Sequence, residues 1–377
     1  MPSTYSLLLN GAPADDKLLT QLSELEVEEN ADMPGAIQLR LPVDATDDGD
    51  LSFVSDTRFA PFVNIAVVAT PGGGDPQCIF DGYVLSHKLH LETGTTNSTL
   101  EVWGQDASWL MNLEEKTREW TDVTDAAVAA SVFGAYGVSP SPDNSADDSP
   151  SHTEDGHTLM QRATDIQFLR MLAGRNGKLC RVACADKPGQ RTGYFAKPKL
   201  DGDPVATLTL NDPDAWNVTA LNIEWDATRP TAVSARQVLF NDDSQGGVSG
   251  DASDSGLALI DQRGLAEFTG KAMTVILTAP VDDGGELTMR ARALLRESGW
   301  FVRCEGEADT ARLNAVLRVN TIVEIGGLGT LHSGKYYVWS VRHSISAESH
   351  RMKFVLLRNA VGPPPAGSAS ELLGGLM

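Results

Sequence analysis

Along residues 4–105 the apolar positions recur mostly with period two, the spacing of half-buried strands. Tyr5–Leu9 reads as a strand ending at the turn Asn10-Gly11. In Leu22–Glu29, Leu25 and Val27 alternate against glutamates, and Ala36–Leu41 repeats the pattern through Ile37, Leu39 and Leu41. Phe62–Ala69 is an almost continuous apolar run, Pro71–Pro76 a loop, and Cys78–Leu91 a long strand bent near Gly82. Thr99–Gly104 completes the set. Strands at this spacing, separated by Gly, Pro and Asp turns, predict a small antiparallel barrel, which removes exposed sheet edges.

The period changes after residue 106. Ala107–Leu113 predicts a short helix, and Thr124 is placed to cap another over Asp125–Tyr136. Pro140–Thr153 is polar loop. A helix is predicted from Gln161 to Gly177, where Ile166, Leu169 and Leu172 or Ala173 form one stripe that Phe168 and Met171 widen. Gly177 falls at the C′ position, after the cationic Arg170 and Arg175. Strands resume at Leu179–Ala183 and Thr192–Phe195, a hairpin, then at Thr207–Leu210, Trp216–Trp225 and Ala232–Leu239. Residues 241–258 are rich in Gly, Ser and Asp and read as flexible. Glu286–Ser298 reads as a helix, Trp300–Glu305 and Arg318–Ile325 as strands, and Tyr336–Ile345 as the partner of Met352–Arg358. In that last strand, strict alternation puts Tyr337, Trp339, Val341 and His343 on one face and Tyr336, Val338, Ser340, Arg342 and Ser344 on the other.

Composition narrows the class. The 377 residues, 41% hydrophobic, suffice for several domains with real cores. No apolar run has membrane-spanning length, and the N-terminus lacks a signal-peptide pattern, so the chain is expected to be made in the cytoplasm. A net charge of −21 argues against nucleic acid as a partner. The acid concentrates in turns such as Asp44–Asp50, Asp143–Asp148 and Asp282–Gly285, a solubilising surface or, as the alternative, the wall of a negative pore. Cys78, Cys180, Cys184 and Cys304 are too few and scattered for a disulfide framework and are expected as buried free thiols.

Four segments together resemble one family. They are the opening strand Tyr5–Gly11, the strand–Gly–x–Asp–helix junction Val102–Leu110, the Gln-x-x-x-Asp-x-x-Phe-Leu-x-x-Leu-x-x-x-x-Gly helix from Gln161 to Gly177, and the late strand Ser333–Ile345 followed by Phe354–Arg358. In this order they resemble phage late control protein D, the tail baseplate hubs and the VgrG proteins of type VI secretion. The residues that carry the likeness are Trp103, Gly104 and Asp106, then Gln161, Asp165, Phe168, Leu169, Leu172 and Gly177, then Gly334, Tyr336, Val338, Val341 and His343. The resemblance implies an α+β, mainly β fold, with two related antiparallel β-barrels and helix-containing intervening domains. Mapped onto this chain, the first barrel is 1–105, a helix-containing domain 106–214, the second barrel 215–245 with 315–362, an inserted domain 246–314, and a flexible tail 363–377. It further implies a structural hub without cofactor or catalytic residues: a homotrimeric ring joining a hexameric inner tube, or its initiator, to a separate trimeric spike, with baseplate wedge proteins around it, in a virion tail or injection particle.

Other functions leave weaker marks in the residues. Ser151–His157 carries His152 and His157 with carboxylates between, the raw material of a metal-dependent or wall hydrolase, but their spacing lacks the His-Glu-x-x-His helical geometry, and a solvated loop is expected. His343 has no nucleophile or carboxylate pattern beside it and is expected as a barrel-wall residue. A carbohydrate-binding β-protein would expose tryptophans, whereas Trp103, Trp109, Trp120, Trp216, Trp225, Trp300 and Trp339 fall mostly on apolar faces. The tail is a frayed end or a spike-docking peptide led by Leu372, Leu373, Leu376 and Met377.

Overall fold

The computed structural model describes residues 4–93, 97–145, 148–154, 158–238 and 247–363. The chain is mainly β, and its pairings are mostly antiparallel. A 13-stranded sheet dominates. Its N-terminal half holds Thr4–Leu9, Ala12–Pro13, Glu24–Asn30, Ala36–Pro42, Asn64–Thr70, Gln77–His90 and Thr99–Asp106. Its C-terminal half holds Pro204–Thr209, Val218–Trp225, Val302–Asp309, Ile322–Gly326, Gly334–Ile345 and His350–Arg358. The halves meet where Glu24–Asn30 pairs antiparallel with Gly334–Ile345, Val341 lying opposite Glu29 and Ile345 opposite Leu25. Among the described residues no strand pairing closes either half on itself.

The alternation expected near the N-terminus produces this sheet directly. Leu25, Val27, Ile37, Leu39 and Leu41 are buried while their neighbours reach the outer face. One apolar cluster runs through both halves, from Leu7, Leu25 and Val102 to Val323, Val341 and Leu356. Three strands join partners other than those expected. Val302–Asp309, expected within the insertion, sits in the large sheet between Val218–Trp225 and His350–Arg358. Pro204–Thr209, expected with the helix-containing domain, pairs in parallel with Ile322–Gly326. Ala232–Gln237, expected in the second barrel, instead forms a small sheet with Val248–Ser249 and Thr274–Leu277.

Two further apolar clusters have grown outside the large sheet. One packs the helices Asp125–Ala135 and Asp165–Arg175 against Leu179–Cys184 and Arg191–Ala196 through Phe133, Phe168, Leu169, Leu172 and Phe195. The other packs the helix Gly284–Ser298 on the small sheet through Val233, Ala291 and Leu295. All three helices start on side-chain caps: Thr124 Oγ1 accepts from Ala127 N at 3.2 Å, Thr164 Oγ1 from Gln167 N at 3.4 Å, and Asp283 Oδ1 from Glu286 N at 2.8 Å.

Several sequence expectations change. The motif helix begins at Asp165, because Leu159–Thr164, Gln161 included, is a strand paired with Glu115–Trp120. That second strand, charged and largely exposed, has no apolar alternation to announce it, and the helix Asp16–Gln21 is too short to show a period. Cys78 and Cys184 form a disulfide across 106 positions, while Cys180 and Cys304 are the buried free thiols. No spacing rule links such distant cysteines; tertiary packing of the hairpin Leu179–Ala196 on Gln77–His90 brings them together. Trp103, Trp216 and Trp225 are exposed, since an aromatic side chain on a half-buried strand can as readily lie on the wet face. The two-face alternation expected for Gly334–Ile345 fails at Trp339, where a β-bulge against His350–Arg358 shifts the register. Tyr336 and Val338 before the bulge therefore share one core with Val341 after it.

Candidate functional site: the family-motif residues and the seams they hold

The Gln161–Asp165 pair forms a strut between strand and helix. Trp120 Nε1 donates to Gln161 Oε1 at 3.1 Å, and Gln161 Nε2 donates to Asp165 Oδ1 at 2.7 Å. Asp165 Oδ2 accepts from Lys116 Nζ at 2.5 Å and from the Tyr136 hydroxyl at 2.8 Å. Burial raises the Asp165 pKa, but Lys116, Gln161 and Tyr136 outweigh it and hold the carboxyl below its ordinary value. A glutamine is needed at 161 because one amide must accept from indole and donate to carboxylate at once. Phe168, Leu169 and Leu172 on the following helix are buried, as expected.

At the first junction, Gly104 passes so close to Gln77–His90 that a Cβ would lie 2.6 Å from Tyr83 O. Trp103 beside it faces solvent. Asp106 is buried, caps the turn Ala107–Asn112 by accepting from Ser108 N at 2.9 Å, and accepts from Gly35 N at 2.5 Å. Burial dominates there and pushes its pKa up.

Gly177 serves two purposes. Its φ of +59° is left-handed, and a Cβ would lie 2.7 Å from Ala293 Cα on the helix Gly284–Ser298. That helix anchors itself beside Gly177 through Arg296, which donates to Asn176 O at 2.8 Å, Ser255 O at 2.7 Å and Asp148 Oδ2 at 2.6 Å.

In the late strand, Gly334 turns at φ +117° and Tyr336 donates its hydroxyl to His332 O at 2.8 Å. Arg358 stacks on the Tyr336 ring and pairs with Asp261. Val338 and Val341 are buried. His343 is fully buried, its Nδ1 3.0 Å from His350 Nε2 and its Nε2 3.5 Å from Glu29 Oε2, a carboxylate that Arg318 holds through two bonds of 2.7 Å.

The motif residues thus occupy separate seams and do not converge on one pocket. His152 is not solvated as expected. It is buried against Asp125 at 2.7 Å, with Arg175 Nη2 3.1 Å from the same ring nitrogen. Asp125 also accepts from Arg175 and from Asn176 at 2.5 Å. The guanidinium itself supplies a positive charge beside the His152–Asp125 pair. His157 and the tail residues Leu372, Leu373, Leu376 and Met377 lie outside the described residues. Among the described residues no group of three His, Cys, Asp or Glu is arranged to hold a metal ion, and no helix is long and apolar enough to cross a membrane.

A groove of about 570 Å³ lies on the outer face of the large sheet and crosses from one half to the other. Its walls include Glu28, Asn222, Glu305, Arg342 and Lys353. Charges on this face compensate one another across strands: Arg342 meets Glu28 at 2.9 Å, Arg40 meets Glu101 at 2.8 Å and Glu24 at 3.5 Å, and Arg351 meets Glu307 at 3.8 Å. The acidity of the chain as a whole is not concentrated there.

The chain belongs to the family described as the Alg8 N-terminal domain, whose model it matches over residues 2–347. Among solved structures, the fold is similar to the 43 kDa tail protein of prophage MuSo2 from Shewanella oneidensis, with 15% identity, a TM-score of 0.67, and 95% of this chain and 99% of that one covered. It is also similar to a tail protein of Neisseria meningitidis MC58, with 13% identity, a TM-score of 0.63, and 96% and 98% covered. An E. coli component of the type VI secretion system, itself described as structurally similar to the bacteriophage T4 tail proteins gp27 and gp5, aligns with 12% identity, a TM-score of 0.55, and 95% and 79% covered. No curated protein matches by sequence.

Proposed function

We propose that the chain is a structural baseplate hub of a contractile tail or contractile injection system, related to late control protein D and VgrG. In this reading three copies form a ring. The two halves of the large sheet act as two barrel-like units per copy, so that a threefold ring offers six similar units to a hexameric inner tube or its initiator and keeps threefold symmetry for a separate spike protein. Baseplate wedge proteins surround it. The divisions at 1–105, 106–214, 215–245 with 315–362, and 246–314 belong to the same reading. The observation that carries it is the match in fold over nearly the full length of both chains to a prophage tail protein. The chain is not an enzyme in this reading: the polar groups that resembled catalytic or metal-binding sets are engaged in structural hydrogen bonds, His152 with Asp125 and His343 with His350.

Native mass spectrometry of the assembled baseplate tests it. Three copies of the chain are expected; one or six would overturn the ring.

A further inference from the structure

The seam between the two halves carries a cluster that the hub reading does not use. Among the described residues, the ladder of Glu24–Asn30 with Gly334–Ile345 is the one strand pairing that joins the halves. Within it lies His343, opposite Val27, and its ring meets that of His350, on the neighbouring strand His350–Arg358, at 3.0 Å; both histidines are buried. One ring must donate and the other accept, so this contact accommodates a single proton between the two facing nitrogens. Glu29, on the opposite half, faces the far side of His343 at 3.5 Å, a long contact, and is engaged bidentately by Arg318. The guanidinium therefore competes with a charged His343 for this carboxylate. Around the cluster, Thr310 donates to His350 O, Tyr194 lies electrostatically near Arg318, and Arg342 pairs with Glu28 on the outer face.

We propose that Glu29, Arg318, His343 and His350 form a proton-sensitive latch, and that acidification opens the ladder joining the two halves of the sheet. The latch stands whether or not the hub reading holds.

The sign follows from linkage. Burial, aided by Arg318, lowers the His343 pKa against the opposing pull of Glu29, and burial lowers that of His350 to about 3, with His343 acting in the same direction. An opening that parts the ladder and admits water to both rings returns them to the ordinary value near 6.5. The open form therefore binds more protons than the closed form below about pH 6.5, and the closed ladder weakens as pH falls through that value. Glu29 acts in the same direction at lower pH. Burial raises its pKa, Arg318 and His343 outweigh that and lower it to about 2, and its contribution is lost as pH falls below the ordinary carboxylate value. With 6.5 open and about 3 closed, His350 alone shifts the opening equilibrium about thirtyfold between pH 7.5 and pH 5.

Amide hydrogen exchange of the full chain at the two pH values, corrected for intrinsic exchange, reads this directly. Protection in Glu24–Asn30 and Gly334–Ile345 is expected to fall about thirtyfold relative to the ladder of Thr4–Leu9 with Asn64–Thr70, which contains no histidine. His350→Gln, which keeps a hydrogen-bonding side chain without a titrating one, is expected to abolish most of that fall. Equal protection of the two ladders at pH 5, or an undiminished fall in His350→Gln, overturns the proposal. If His350→Gln does not fold at pH 7.5, the wild-type ring-proton titration by NMR decides: His350 titrating near 6.5 while the seam amides stay protected overturns it, and a ring that stays neutral until they exchange supports it.

Discussion

Residues 106–200 and residues 232–298 both leave the same large sheet and return to it, but they are fastened differently. The first region has a large core of its own and is tied to the sheet by the Cys78–Cys184 disulfide. Beside that bond, Asp81 accepts from Arg191 through both oxygens and from Gly189 N at 2.8 Å. The second has a smaller core and an edge strand, Thr274–Leu277, whose Ile276 is 85% exposed. Toward the first region its helix is seated by directional contacts, Arg296 to Asn176 and Asp148 and the close approach at Gly177. A covalent tie with apolar packing tolerates small displacements. An arginine with three short hydrogen bonds does not, so the seat of the second region's helix on the first should be lost with that one residue.

The largest effect should come from the core of the first region. Phe168→Asp leaves a cavity and an unpaired buried charge and should destabilise by about 5 kcal/mol. Thermal unfolding close to wild type would show that this helix is not the core of its domain. Next is Arg296→Met, which breaks a buried pair with Asp148 and leaves the Asn176 and Ser255 carbonyls without this donor. A loss of about 3 to 4 kcal/mol is expected, seen in calorimetry as a separate low-temperature transition. A single cooperative transition shifted as a whole would erase the contrast between the regions. Reducing the disulfide, or Cys78→Ser with Cys184→Ser, should lower stability by about 2 to 3 kcal/mol with the first region still folded. Loss of the Asp125–Ala135 and Asp165–Arg175 helices by circular dichroism would mean that the bond, not the packing, holds that region. Smallest of all, Ile276→Thr should change stability by less than about 0.5 kcal/mol, since the side chain touches little.

What could be read from the sequence follows the same division. Elements that satisfy their own period, such as Glu24–Asn30, Ala36–Pro42, Asp165–Arg175 and the hairpin of Gly334–Ile345 with His350–Arg358, stand close to where the pattern put them. Thr124 caps its helix as its position predicts. Features decided by long-range partners were not legible. The charged strand Glu115–Trp120 is a strand because Leu159–Thr164 lies beside it, and Cys78 meets Cys184 because a hairpin packs on a strand. Among the motif residues, the burial of Phe168, Leu169 and Leu172 was visible as periodicity. The role of Gly177 was visible only in part, since a C′ glycine satisfies a helix end, and its contact with Ala293 belongs to another region. The Glu29–His343–His350 cluster was invisible, because its members are 314 and 7 positions apart and each looks ordinary on its own strand.

The ladder between Glu24–Asn30 and Gly334–Ile345 also sets how the two halves can move. Strand pairing admits whole-residue registers only, and a one-residue slip would turn Leu25 and Val27 out to water and Glu26 and Glu28 into the core. The next register that preserves the faces lies two residues, roughly 7 Å, away. The joint therefore behaves as a toothed coupling and not as a sliding bearing. Forces transmitted through the molecule leave the halves indexed at one position until the coupling disengages altogether, and a disengaged molecule can re-form only at registers an even number of residues from it.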